Sequence, residues 1–160
     1  RTVVVTQPRR LAAVSIAEHV AAERGEAVGE SVGYQIRFDN RTSESTRLVY
    51  CTTAVLLRRL HCDPLLGRLS VLVVDEVHER DLVTEFLLLA VRARLRGMSL
   101  RLVLMSATLS EASFAGFFSP EPRAFRIEGR SFPVRQAFLE EALQWTGCAL
   151  PGAERVSRAM

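Results

Sequence analysis

A pair of carboxylates at the end of an apolar run is the feature of this sequence with the clearest chemical potential. Residues 69–80 read LSVLVVDEVHER, so the branched apolar residues 71–74 lead directly into Asp75 and Glu76. An uninterrupted apolar run is typical of a strand buried on both faces of a parallel sheet, and ligands bind at the carboxyl ends of such strands. There Asp75 could hold a hydrated Mg²⁺ bridging nucleotide phosphates, and Glu76 could orient or deprotonate an attacking water. A solvated acidic turn would explain the same residues.

Basic and hydroxyl residues stand at the expected starts of two helices. Arg9 and Arg10 open a helix just after a short β-branched strand, and Thr52 and Thr53 open another. Guanidinium groups and helix N-terminal amides both favour phosphate, and phosphate contacts position a nucleic acid without reading its sequence. The alternatives are a solvated basic helix end for the arginines and simple N-capping for the threonines.

Composition narrows the class of protein. The chain has 160 residues, 48% of them hydrophobic and 24% charged, which is ordinary for a globular domain. Its net charge of +3 allows a polyanionic partner without requiring one. Three scattered cysteines without CxxC spacing argue against a zinc site or a disulfide framework and favour a reducing compartment. The apolar runs are too short to cross a membrane, so none is expected as a partner.

The elements that must position these residues alternate between strands and helices. Predicted strands cover 2–6, 47–51, 71–74, 100–105 and 124–128, and predicted helices cover 8–24, 52–60, 82–95 and 111–118. Residues 28–38 are predicted to be extended and 39–45 to form a polar turn. Strands that alternate with helices imply right-handed parallel crossovers, and therefore a doubly wound α/β sheet.

Six segments, in order, resemble motifs of the first RecA-like domain of DEAH-box (superfamily two) RNA helicases. They are TQPRRLAA at 6–13, YQIRF at 34–38, TTAVLLRRL at 52–60, DEVHER at 75–80, SATL at 106–109 and GRSFPV at 129–134. The resemblance implies a RecA-like doubly wound parallel sheet with helices on both faces, incomplete at its N-terminal end. It implies ATP and Mg²⁺ as cofactors, and an intracellular (cytoplasmic or nuclear) ATP-dependent RNA helicase as the parent protein. Single-stranded RNA, held by its backbone, and a second RecA-like domain of the same chain would be the partners.

The resemblance also implies roles for individual residues. Asp75 and Glu76 of the fourth segment, motif II, would bind Mg-ATP, largely through water, and would act with His78 in catalysis. Ser106, Ala107 and Thr108 of motif III would couple hydrolysis to strand separation through hydrogen bonds with His78. The residues expected to contact nucleic acid are Thr6, Gln7, Arg9, Arg10, Arg37, Phe38, Thr52 and Thr53. Taken alone, the hydroxyls of motif III could instead cap a helix, and His78 could be structural.

Some positions depart from the family pattern. Ala54 stands where motif Ib usually has glycine, and Val77 stands where motif II usually has alanine. The 160 residues contain no lysine, so the lysine-bearing P-loop of the family is not among them. We therefore predict that residues 1–130 form the ATP-binding domain without its P-loop strand and helix, and that this segment alone is inactive. Residues 131–160 would be a linker or the start of the next domain.

Two other functions remain as alternatives. A non-catalytic RNA- or protein-binding module could keep the same fold without ATP turnover. Residues 29–33, GESVG, also match the GxSxG nucleophile elbow of serine hydrolases. That elbow requires a helix directly after the serine, whereas extended sequence is expected here, and this disfavours the hydrolase.

Overall fold

The computed structural model describes residues 2–62, 69–95, 100–108, 114, 116–118, 123–129 and 132–148. The chain divides into two compact units, residues 1–123 and 124–160. The boundary predicted after residue 130 stays a prediction. Within the described ranges, no helix has the length and apolar character that a membrane span requires.

The first unit is built on a six-stranded sheet. Its strands are β1 (Thr2–Gln7), β2 (Val32–Ile36), β3 (Asp39–Arg41), β4 (Leu48–Thr52), β5 (Leu69–Val74) and β6 (Arg101–Leu104). Their order across the sheet is β3-β2-β4-β1-β5-β6, and every neighbouring pair is parallel except β2 with β3. The helices of this unit are α1 (Arg10–Glu23), α2 (Thr53–Cys62) and α3 (Leu82–Leu95). The predicted α/β class is confirmed.

Helices cover both faces of the sheet, as the sequence predicts. Alanines of α1, such as Ala13 and Ala17, pack on Val32 and Tyr34 of β2. On the other face, the buried leucines of α2 and α3 pack on Leu72 and its neighbours. Alternate residues of a strand point to opposite faces, so a central strand needs apolar residues throughout. The continuous run at 71–74 satisfies that requirement.

The three cysteines are free thiols in different environments. Cys51 lies within β4 in the core, and burial raises the pKa of its thiol to about 12. Cys62 ends α2 and is exposed, and Cys148 is exposed in the second unit. Only one of the three thiols is therefore shielded from solvent by the sheet.

The second unit contains one described helix, α4 (Leu139–Thr146). The carboxylate of Glu141 accepts a hydrogen bond from the N–H of Phe138 at 3.2 Å and so caps the helix start. Gly147 ends the helix at φ 63°, a left-handed conformation that glycine adopts without steric cost. The guanidinium of Arg135 lies 4.7 Å from the ring centre of Trp145. Sequence periodicity did not identify this helix.

Two predicted elements differ from the structure. The strand expected at 124–128 is absent from the described segment 123–129, which has no regular secondary structure and exposes Phe125 and Ile127. The polar turn expected at 39–45 instead begins with strand β3, which pairs antiparallel with β2. The helix predicted at 111–118 falls largely outside the described residues.

Candidate functional site

The carboxyl ends of the five parallel strands lie at one edge of the sheet. Register aligns Gln7 of β1 with Thr52 of β4, and Thr6 of β1 with Val74 of β5. Asp75, the residue after β5, donates its N–H to the carbonyl of Thr6 at 3.3 Å. Residues far apart in sequence are therefore neighbours here, as expected for the ligand-binding edge of an open α/β sheet.

Asp75 is held by hydrogen bonds to both of its carboxylate oxygens. Its Oδ1 accepts the N–H of Glu76 at 2.8 Å, and its Oδ2 accepts the side-chain amide N–H of Gln7 at 2.7 Å. The Gln7 side chain is buried, whereas Asp75 is half-buried. Both donors are neutral, and together they fix the orientation of the carboxylate.

The segment after Asp75, which we call the acidic turn (residues 75–79), has an uncommon backbone. Glu76 lies at φ 55° and ψ 35°, in the left-handed region that non-glycine residues seldom occupy. A 3-10 turn, Val77–Glu79, follows it. Strained residues of this kind cluster at functional sites, where the surrounding structure holds them in place. The effect here is to turn the half-exposed Glu76 away from the strand direction.

His78 lies beside Glu76. Its Nδ1 is 3.3 Å from Glu76 Oε2, but the pair lacks hydrogen-bond geometry and this nitrogen is buried without a hydrogen-bond partner. Among the described residues, no hydrogen bond joins His78 to Ser106 or Thr108. The Oγ of Ser106 instead accepts the N–H of Thr108 at 3.2 Å. The predicted hydrogen bonds between motifs II and III therefore do not form in this conformation.

Backbone hydrogen bonds connect the two motifs instead. Met105, the residue before Ser106, donates its N–H to the carbonyl of Val74 at 2.9 Å, and its own carbonyl accepts the N–H of Val77 at 3.1 Å. Ser106, Ala107 and Thr108 follow β6 at the same sheet edge, the last two exposed.

The donor set at the acidic turn fits a magnesium ion shared with a nucleotide. Asp75 offers hard carboxylate oxygens, which Mg²⁺ prefers, and Glu76 is adjacent. Within the part of the chain that the structure describes, no group of three or more His, Cys, Asp or Glu residues could enclose a metal. Mg²⁺ commonly takes one or two carboxylates and completes its shell with water and phosphate oxygens.

A second group of site residues, which we call the basic edge, consists of Arg9, Arg10, Arg37 and Phe38. All four are exposed, and Phe38 is 89% exposed at φ 68° in the turn between β2 and β3. The guanidinium of Arg37 lies 4.7 Å from the Phe38 ring centre, and that of Arg10 donates to the Arg37 carbonyl at 3.2 Å. These contacts join the start of α1 to the hairpin between β2 and β3.

Arg9 connects the basic edge to the acidic turn. Its guanidinium lies 3.0 Å from Glu79 Oε1, across 70 positions of sequence. The pair is largely exposed, and exposed ion pairs contribute little to stability. Glu79 was not among the predicted site residues, although its place in the DEVHER segment was a usable signal.

The other residues expected to contact nucleic acid lie deeper. The side chains of Thr6, Gln7, Thr52 and Thr53 are all buried, none more than 6% exposed. The Oγ of Thr6 has no hydrogen-bond partner among the described residues. These four residues lie at the buried ends of β1 and β4 and at the start of α2. Position in a motif predicted their neighbourhood but not their burial.

The serine of the GxSxG match does not form a nucleophile elbow. Ser31 donates a hydrogen bond to Glu26 and precedes strand β2 rather than a helix. Gly33 lies so close to the Arg41 carbonyl that an added Cβ would come within 2.2 Å of that oxygen. The glycine is therefore explained by hairpin packing, which removes the argument for a hydrolase.

Comparison with known proteins identifies relatives over nearly the whole chain. It is 50% identical over 143 residues to DExH-box ATP-dependent RNA helicase DExH1 of Arabidopsis thaliana, covering 89% of this chain and 14% of that protein. It is 47% identical over 159 residues to putative ATP-dependent RNA helicase DHX57 of Homo sapiens, covering 99% and 11%. It is 39% identical to probable ATP-dependent RNA helicase DHR2 of Saccharomyces cerevisiae, covering 99% and 24%. The chain thus spans a quarter or less of these relatives. No family model matches it.

Proposed function

Over nearly its whole length this chain belongs with the DExH/DEAH-box ATP-dependent RNA helicases, and from that premise we propose that the protein containing it couples ATP hydrolysis to RNA binding and unwinding. The observation that carries the proposal is the acidic turn. Asp75 follows a buried parallel strand, is fixed by two neutral donors, and adjoins Glu76. A carboxylate held on both oxygens at this edge, beside a second carboxylate, suits nucleotide hydrolysis better than a solvated turn does.

The residues of the acidic turn divide the chemistry between them. Asp75 would hold Mg²⁺, largely through water, and the bound ion would neutralise charge on the nucleotide phosphates. Glu76 orients the attacking water and accepts its proton. His78, whose Nδ1 lies 3.3 Å from the Glu76 carboxylate, would act beside it. Catalysis of this kind consists of positioning and charge stabilisation, and the fixed backbone of the acidic turn contributes by holding Asp75 and Glu76 next to each other.

The basic edge is the proposed RNA-backbone track. Arg9, Arg10 and Arg37 supply guanidinium groups suited to phosphate, and Phe38 offers an exposed ring on which a base could stack. Thr6, Gln7, Thr52 and Thr53 support this track from the buried strand ends. Arg9 also contacts Glu79 of the acidic turn, so phosphate binding at Arg9 would compete with an ion pair to motif II.

Coupling to the rest of the helicase is proposed for Ser106, Ala107 and Thr108, which are tied to the acidic turn through Met105. A second RecA-like domain of the same protein would be their partner, and the compartment would be cytoplasmic or nuclear. We expect these 160 residues alone not to turn over ATP, because they contain no lysine for the β- and γ-phosphates. Phosphate release by this segment at ~1 per second or more would contradict that expectation.

The test uses the full-length protein with Asp75→Asn, which keeps the size of the side chain and removes its charge. Nucleotide affinity is measured in Mg²⁺ and in EDTA, together with RNA-stimulated phosphate release. We expect the variant to lose most of the affinity that Mg²⁺ adds and to lose turnover. Glu18→Gln removes a negative charge from the exposed face of α1 and should change neither.

A non-catalytic RNA-binding module makes the opposite prediction. Its nucleotide affinity would be indifferent to Mg²⁺ and to Asp75→Asn, while RNA binding would persist. That result would reject the hydrolytic role of the acidic turn but would leave the proposed RNA-backbone track at the basic edge intact.

A further inference from the structure

We propose that Gln7 is a positioning residue for the metal-binding carboxylate. Its amide fixes Asp75 in the orientation that accepts Mg²⁺, and this inference rests on the proposed function of Asp75. Sequence resemblance had grouped Gln7 with the nucleic-acid contacts, but its side chain points into the sheet edge and is only 3% exposed. Its Nε2 donates to Asp75 Oδ2 at 2.7 Å.

The fold makes this contact a fixed one. Gln7 ends β1, and register places Thr6 of the same strand opposite Val74, the residue before Asp75. The N–H of Asp75 also donates to the Thr6 carbonyl at 3.3 Å. The pairing of the strands thus places the Gln7 and Asp75 side chains next to each other, whatever rotamers they adopt. A buried amide without this partner would remain unsatisfied, which proteins avoid.

Two donors are needed to fix a carboxylate, and here one comes from the acidic turn and the other from the end of β1. The N–H of Glu76 holds Oδ1 at 2.8 Å, and Gln7 holds Oδ2. With only the first donor, the carboxylate could rotate about its last bond and lose its fixed direction. Each oxygen keeps a second acceptor site, so these donors leave capacity for a metal-bound water.

The neutrality of the amide is the chemical reason for glutamine at this position. An arginine or lysine would form an ion pair with Asp75, and its positive charge would oppose a divalent cation at close range. Glutamine supplies a hydrogen bond of comparable direction without that repulsion. The nearest arginine in sequence, Arg9, is instead paired with Glu79.

The experiment measures the contribution of Mg²⁺ to nucleotide binding, independent of turnover. Affinity of the full-length protein for fluorescent ADP is determined by titration in Mg²⁺ and in EDTA. Gln7→Met keeps the approximate length and removes the donor. We expect the gain in affinity due to Mg²⁺ to fall roughly tenfold, the scale of one hydrogen bond to a charged group, with affinity in EDTA unchanged. Gln7→Asn, which keeps a shortened amide, should give a smaller fall and replaces Gln7→Met if that variant does not fold.

The control is Thr46→Val, which removes another buried hydrogen-bonding side chain, one that accepts from Ser43 and donates to Gly29. It should lower stability without changing the Mg²⁺ contribution. An equal loss of affinity in Mg²⁺ and EDTA for Gln7→Met would overturn the positioning role, because it would indicate general damage.

Asp75→Asn separates the two proposals. If Asp75→Asn removes the Mg²⁺ contribution and Gln7→Met does not alter it, only the positioning role fails. If Asp75→Asn also leaves it intact, the proposed function of Asp75 fails first. In the double variant, Gln7→Met should have no further effect, since its target charge is gone.

Discussion

The acidic turn and the basic edge lie at the same end of the sheet but hold their polar groups in opposite ways. Asp75 is bound on both oxygens and its partner Gln7 is buried, while Arg10 and Arg37 are exposed and touch one another at the surface. Charge positioned for a chemical step must not reorganise during it. Charge that follows a moving polyanion must release and rebind. The two regions therefore differ in rigidity. The Asp75 carboxylate of the acidic turn is held fixed, as a chemical step requires, whereas the arginines of the basic edge are exposed, as release and rebinding of phosphate require.

The largest effect is expected from the rigid region. In the full-length protein, Glu76→Gln removes the proposed base and should lower kcat by roughly 100-fold or more, a general-base scale of loss. Nucleotide affinity in Mg²⁺ should stay close to that of the parent, because Asp75 is untouched. Steady-state phosphate release and nucleotide titration check the two parts. Hydrolysis at the parental rate would show that Glu76 is not the base, and the acidic turn would then differ from the basic edge only in how its side chains are held.

A smaller effect is expected at the basic edge. Arg10→Ala should weaken binding of single-stranded RNA by roughly tenfold, the scale of one charged hydrogen bond, and equally for unrelated sequences. The slope of log affinity against log salt should flatten by about 0.7, because one phosphate is no longer neutralised by the protein. Arg24→Ala makes the same charge change at the far end of α1 and should leave the slope unchanged. A loss confined to one RNA sequence would mean that Arg10 reads bases.

The smallest effect is expected at Phe38 of the basic edge, where one substitution should change stability and RNA affinity in opposite directions. Phe38 occupies a left-handed conformation at φ 68° while almost fully exposed, so Phe38→Gly should raise the free energy of unfolding by about 1 kcal/mol. The same change should weaken RNA binding several-fold, because it removes a stacking surface. Urea denaturation and RNA titration measure the two. The control is Leu11→Ala, which truncates another exposed apolar side chain and should alter neither the RNA affinity nor the free energy of unfolding.

Opposite signs for stability and affinity would identify Phe38 as a residue kept for binding. A loss of stability on Phe38→Gly would instead make the aromatic ring structural, and the basic edge would be reduced to its arginines.

The sequence predicted the elements that carry strong periodicity. The apolar run before Asp75 predicted β5, and the helix predicted at 82–95 coincides with α3, because burial on a sheet face leaves a direct trace in residue type. The alternation of strands and helices along the sequence also predicted that helices pack on both faces of the sheet, which is the doubly wound arrangement.

Turn geometry and side-chain partners were not predictable in the same way. The β2–β3 hairpin turns through Arg37 and Phe38, and neither residue is the glycine or asparagine that usually marks such a turn. The contact of Gln7 with Asp75 depends on register between strands 68 positions apart. Family resemblance assigned Gln7 to nucleic-acid contact, and only the strand pairing revealed which neighbour its amide meets.

The environments of the three cysteines determine how the protein can be labelled. A maleimide reacts with thiolate, and the Cys51 thiol, with its pKa raised to about 12 by burial, stays protonated near neutral pH. Cys62 and Cys148 are exposed, one in each compact unit. Within this segment, two dyes can therefore be attached, one in each compact unit, without removing a native cysteine.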